Sequence, residues 1–173
     1  GKDVMFYPFV LMDQVSGNVL PDPWSDGATQ PALPWRGRIT LNEAPGRSGT
    51  SDRTLAAETE VAAFFGTAEP EHFAINGEVV SFTGPTDWGY RKFILHYAHL
   101  CQIAGGVESF CIGSELRSLT QIRGASDSFP TVEQLKRLAV DVRTILGGTV
   151  KVSYASDWSE YFGYHADGNV YFH

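Results

Sequence analysis

Three carboxylates stand where apolar runs end: Glu115 after FCIGS, Asp13 after VMFYPFVLM and Asp157 after KVSYAS. In a parallel α/β architecture the strand ends face solvent while the interior is packed, so an acid at that address can bind hydroxyls or do acid–base work. Gly113 and Ser114 leave room around Glu115, and desolvation by the sheet wall would raise its pKa toward the range a general acid needs. The same residues have plainer readings. A glutamate just past a strand can cap the next helix or pair with Arg117 or another arginine, and each aspartate can cap a helix or turn a loop.

Aromatic and basic residues cluster around these acids. Trp158 and Tyr161 stand beside Asp157, while Trp24 and Trp35 lie in a Gly- and Pro-rich stretch with Arg36 and Arg38 flanking Gly37. Exposed rings at a site mouth can stack on sugars, or they can pack a loop, and the arginines can bind a carboxylate or hydroxyls or remain solvated. His173, at the end of the last apolar run, is a further lining candidate. His96 and His99 have no second ligand group at metal-binding spacing, and Cys101 and Cys111 form no CxxC, so they read as packing residues with no metal site. No GxGxxG or P-loop follows a strand, which leaves no expected cofactor.

The elements that must position these groups follow from periodicity. Val4–Leu11 is a near-continuous apolar run, the pattern of a strand buried on both faces, weakened by Pro8. Residues 15–53 are rich in Gly, Pro, Ser, Asp and Arg and read as one long loop of functional length. Ser51 or Asp52 can cap a helix from Thr54 to Phe65 that Gly66 closes. Asn76-Gly77 between short apolar runs marks an inserted β-hairpin near 72–83. Thr86–Ala104 places Phe93, Tyr97, Leu100 and Cys101 at helical spacing and stops at Gly105-Gly106, with a strand at Val107–Ile112. Thr131 and Gln134 make a capping box for a helix ending at Gly147-Gly148, Val150–Ala155 is the next strand and Val170–Phe172 begins another.

Helix and strand therefore alternate from residue 86 onward. This predicts an α/β fold of parallel βα units, and without a nucleotide motif a (β/α)8 TIM-barrel-like arrangement fits better than an open sheet. A whole barrel needs eight strands, so the chain corresponds to its middle part, about strands 3–6, as a single partial domain over residues 1–173. Both ends read as cut from a longer protein.

Bulk properties narrow the function. With 43% hydrophobic residues the 173-residue chain can bury a core. Its net charge of −7 is the wrong sign for a phosphate backbone, so no nucleic-acid partner is expected. No apolar run reaches the ~20 residues of a membrane span.

WGYRKFILHYAHLCQIAGGVESFCIGSELR, KVSYASDWSEYF and NVYFH together resemble the TIM-barrel-like domain of large tail proteins from gene transfer agents and related tailed phages. That domain is in turn similar to retaining glycoside hydrolases of the (β/α)8 class, especially a β-mannanase-like family. The resemblance implies that Glu115 is the acid/base carboxylate after strand four. It places Trp35, Arg36 and Gly37 in the loop after strand three, and Asp157 and Trp158 at the site edge after strand five. Asp13 and Tyr161 complete the expected substrate-binding set.

The nucleophile of such enzymes follows strand seven and lies outside this chain, so the chain alone is expected to be inactive. The implied function is a glycoside hydrolase-like tail module of a phage-like particle, extracellular or acting at the cell surface on cell-envelope polysaccharide or peptidoglycan. Its partners would be the glycan and other tail proteins. The alternative is a non-catalytic structural or glycan- or receptor-binding module.

Overall fold

The computed structural model of the chain describes residues 3–166 and 169–172; His173, a lining candidate, lies outside them. In chain order the elements are β1 (Met5–Phe6), α1 (Leu55–Phe65), β2 (Phe73–Asn76), β3 (Val79–Phe82), α2 (Tyr90–Ile103), β4 (Ser109–Ser114), α3 (Arg117–Thr120), α4 (Pro130–Leu146), β5 (Lys151–Ala155), β6 (Tyr164–Ala166) and β7 (Asn169–Phe172). Short 3-10 turns occur at Arg36–Arg38 and Trp158–Glu160, among others. The chain forms two compact units. The first takes the chain up to Phe9, Ala62–Gly113 and Val132–Ala155; the second takes Val10–Val61, Ser114–Thr131 and the chain from Ser156 on.

The first unit is built on a three-stranded sheet in the order β1-β4-β5. β1 and β4 run parallel, with Met5 opposite Ser109 and Phe6 opposite Phe110. β4 is central, and Phe110 through Ser114 are all buried, as a strand covered on both faces requires. α2 precedes β4, and α4 connects it to β5. α4 buries Leu135, Leu138, Val142 and Ile145, the stripe its periodicity predicts, whereas α2 buries Tyr90, Ile94, Leu95, Ala98 and Cys101, so that of the expected face Phe93, Tyr97, Leu100 and Cys101 only Cys101 is fully buried. This is a mixed α/β arrangement with a parallel sheet, a partial TIM-barrel-like fold; among the described residues the sheet does not close.

Buried charge also ties this unit together. Arg91 on α2 is 1% exposed and donates to Ala68 O at 2.8 Å, Glu69 Oε2 at 2.9 Å and Asp141 Oδ2 on α4 at 2.7 Å. A planar guanidinium can serve several acceptors at once, which a lysine could not. β2 and β3 form the hairpin marked by Asn76-Gly77, antiparallel with Phe73 opposite Phe82, and it packs on α2.

Several local expectations change. The run Val4–Leu11 yields only the two-residue β1 at the sheet edge, with Val4, Met5, Tyr7, Phe9 and Leu11 exposed. Pro8 lacks the N–H that would extend the ladder. α1 takes its first-turn bond from Thr54, whose Oγ1 accepts from Ala56 N at 3.1 Å. Ser51 donates instead to Glu60, and Asp52 accepts from Arg123 N at 2.8 Å.

The predicted capping box at Thr131 does not form. Pro130 opens α4, as its fixed φ and missing N–H suit it to do, and Thr131 Oγ1 is buried without a hydrogen bond among the described residues. β7 pairs antiparallel with its neighbour β6, His165 opposite Val170 and Ala166 opposite Asn169, and does not extend the parallel order. Local pairing closes a much shorter loop than a crossover does.

In the second unit, residues 15–53 contain no α-helix or strand but are held by specific bonds. Gln14 N donates to Ala32 O at 2.7 Å, Asn18 Nδ2 to Gln30 O at 2.9 Å, and Trp24 Nε1 to Arg38 O at 2.8 Å. Trp24 is thus committed to loop packing. Leu41 and Ala44 are buried, and Arg53 N donates to Arg123 O at 2.7 Å.

Candidate functional site

β4 delivers the chain to Ser114 and then turns sharply. Glu115 has φ 51°, the left-handed region, which costs a non-glycine residue about 1–2 kcal/mol. Such a conformation persists where surrounding contacts over-determine it. Leu116 then leads into α3 without any side-chain cap, so Glu115 neither continues the strand nor caps the helix.

Its partners come from the long loop. Arg36 Nη2 lies 2.7 Å from Glu115 Oε2, and Trp35 Nε1 donates to the same oxygen at 2.9 Å. Among the described residues no donor meets Oε1. Arg36 also holds the preceding residue: its Nε donates to Ser114 O at 3.2 Å and its Nη2 to Ser114 Oγ at 3.1 Å. One guanidinium thereby fixes both the strand end and the acid beyond it, a geometry its fork of donors permits. Of the plainer readings of Glu115, the arginine pair is realised, with Arg36 as the partner and not Arg117. The carboxylate is not walled off as the sequence suggests, since its side chain keeps 30% exposure.

Two small residues make this arrangement possible. Gly37 is buried, and a Cβ there would sit 2.4 Å from the Trp35 ring. Only glycine lets the indole fold back over the turn toward Glu115. Gly113 is used differently from the open space the sequence implies: a Cβ there would meet the Tyr154 ring at 3.0 Å and the Tyr90 hydroxyl at 3.3 Å. Ser114 and the packing role of Gly37 are the functional positions that spacing alone misses; WRGR, with glycine between two arginines beside a tryptophan, is the signal that pointed nearest to them.

The other candidates occupy different places. Asp157 caps the 3-10 turn at Trp158–Glu160, accepting from Ser159 N at 3.0 Å and from the Ser159 hydroxyl, while Glu160 returns the bond to Asp157 N at 2.9 Å. The Ser159 hydroxyl, foremost, holds the Asp157 carboxyl below its usual range against the opposing effect of burial, helped by backbone N–H groups and the charge of Arg117. Glu160 also accepts from Thr120 Oγ1 on α3 at 3.2 Å. Trp158 is 87% exposed and Tyr161 is exposed beside it. Asp13 is exposed before the long loop. Among the described residues, no hydrogen bond or ion pair joins Glu115 to Asp13, Asp157, Trp158 or Tyr161.

Residues 88–173 match the family described as the GTA TIM-barrel-like domain. This part of the chain belongs to that family. No curated protein matches the chain. The GTA TIM-barrel-like domain runs from just before α2 through β7 and carries Glu115, Asp157, Trp158 and Tyr161. Trp35 and Arg36, which grip Glu115, lie outside the matched stretch, as does Asp13. The family marks a gene transfer agent-related module, associated with a phage-like particle. Among the described residues no group of three or more His, Cys, Asp or Glu is placed to hold a metal ion, and no helix is long and apolar enough to cross a membrane.

Proposed function

We propose that Glu115 is the acid/base carboxylate of a glycan-acting site in a tail protein of a phage-like particle, with cell-envelope polysaccharide or peptidoglycan as substrate. One observation carries the reading: a strand-end carboxylate has Oε2 held by the Trp35 N–H and the Arg36 charge while Oε1 meets no donor among the described residues. Arg36 and Trp35 would orient the acid, and Oε1 would give its proton to the glycosidic oxygen as the C–O bond breaks. Trp158 and Tyr161 supply exposed ring faces for sugar C–H groups, and Asp13 and Asp157 supply acceptors for hydroxyls. Retaining hydrolysis also needs a nucleophilic carboxylate about 5–5.5 Å from the acid. A protein that carries this chain would have to supply that group, so hydrolysis is proposed for such a protein and not for this chain by itself.

A second reading is favoured by a specific feature: the Glu115 carboxylate is ion-paired with Arg36 at 2.7 Å, which is also how a purely structural acid would be held. On that reading the module holds envelope glycan, or another tail protein, without cutting. Cosedimentation of the full-length protein with insoluble peptidoglycan and capsule, together with assay of released reducing ends, separates the two. Release supports the hydrolase, retention without release supports the binding module, and neither retention nor release overturns both.

A further inference from the structure

A cavity of about 620 Å³ lies in the first unit between the β2–β3 hairpin and the exposed side of α2. Phe73, Phe82, Trp88, Phe93 and Tyr97 supply most of its walls. A concave, largely apolar site of several hundred Å³ with a few polar groups is the usual form of a small-ligand site. Trp88, although a large apolar side chain, is 91% exposed at this cavity.

The polar groups narrow the ligand. Lys92 is half-buried, with Nζ 4.1 Å from the centroid of the Phe82 ring and 4.4 Å from that of Trp88. Ring faces attract the ammonium but leave its N–H groups without a full acceptor. Among the described residues Lys136 pairs with Glu133 and Lys151 with Glu108, whereas Lys92 pairs with no carboxylate. This is notable in a chain of net charge −7. His96 also lines the cavity, and burial, followed by the charge of His99, holds its imidazole below the ordinary value. Lys92 is thus the amine that faces the cavity beside its rings.

We propose that this cavity binds a small aromatic carboxylate, its ring among the side chains of the hairpin and α2 and its anionic head on Lys92. The site shares no residue with the Glu115 cluster and stands whether or not that cluster acts on glycans. The test is titration of the chain with 1-naphthoate, read by ligand-observed NMR, beside the isosteric neutral 1-naphthylmethanol. Saturable binding of the acid is expected, at least about tenfold tighter than the alcohol. Lys92→Met should lose that preference, Lys92→Arg should keep it, and Trp88→Ala should weaken both ligands. Should Lys92→Met fail to fold, the comparison of acid with alcohol on the unaltered chain still decides. Equal affinity for acid and alcohol, absence of saturable binding, or an unchanged acid preference in Lys92→Met overturns the proposal.

Discussion

Arg36 Nη2 stands 2.7 Å from Glu115 Oε2 while the same guanidinium bonds the carbonyl and hydroxyl of Ser114. A residue of the long loop thus locks the end of the central strand and the acid that follows it. The pair also joins the GTA TIM-barrel-like domain to a segment outside the matched stretch, so the orientation of Glu115 depends on residues the family match does not cover.

Arg36→Ala should leave the Ser114 hydroxyl and the Glu115 carboxylate short of donors in a partly buried place, a loss of about 1–3 kcal/mol. Arg36→Lys should recover less than half of it, because one ammonium cannot reproduce a fork that serves both residues. Urea denaturation of the three proteins measures this; equal stability of the lysine variant and the parent would contradict it.

Gly37→Ala should push the Trp35 ring off its position, since the new Cβ would overlap the indole at 2.4 Å. The expected cost is about 1–3 kcal/mol, typical of forced overpacking. The indole N–H resonance of Trp35 should move toward its solvent-exposed value as the bond to Glu115 is lost. An unmoved resonance would show that the glycine is not what permits the contact.

The backbone at Glu115 gives a separate test. At φ 51° a glycine is unstrained and an alanine is not, so Glu115→Gly should be more stable than Glu115→Ala by about 1 kcal/mol. Thermal or chemical unfolding of the two variants reads the difference; the reverse order would place the residue in ordinary right-handed backbone.

Asp157 titrates below its usual range in the folded chain, chiefly through the Ser159 hydroxyl. A depressed folded-state pKa adds stability above the unfolded value, and that stability is lost as pH falls through the folded value. Ser159→Ala should raise the Asp157 pKa toward its unfolded value, lowering stability near neutrality and shrinking the further loss as pH falls, so that the two proteins converge in acid. Carboxyl-detected NMR titration of Asp157 and acid unfolding curves check both parts.

Much of this was legible in residue order. The stripe of α4, the existence of α2, the glycines that end both helices, the Asn76-Gly77 hairpin and the burial of FCIGS follow from period and turn chemistry, while the buried face of α2 turned out to be the one carrying Ile94, Leu95 and Ala98. Boundaries and partners were harder. α2 begins at Tyr90 and not at Thr86, because Gly89 takes the cap position and Asp87 accepts from Thr67 N at 2.8 Å. The apolar run before Asp13 became a two-residue edge strand, because burial depends on neighbours that local pattern cannot see.

The site divided in the same way. Glu115, Trp35 and Arg36 were each visible as residue types suited to chemistry, but their convergence depends on a left-handed residue after β4 and a glycine under an indole. Neither leaves a periodic mark. Asp157 carried the same strand-end signature as Glu115 yet is engaged in capping its own turn.

Reducing-end release from purified peptidoglycan and capsular polysaccharide by the full-length protein and its Glu115→Gln variant, at matched folded concentration, tests the central role most directly. Glutamine keeps the shape and one oxygen for the Arg36 and Trp35 donors, so the fold should survive, and glycan cleavage should fall by at least about 100-fold. Equal cleavage by the variant would contradict the assignment of Glu115 as the catalytic acid.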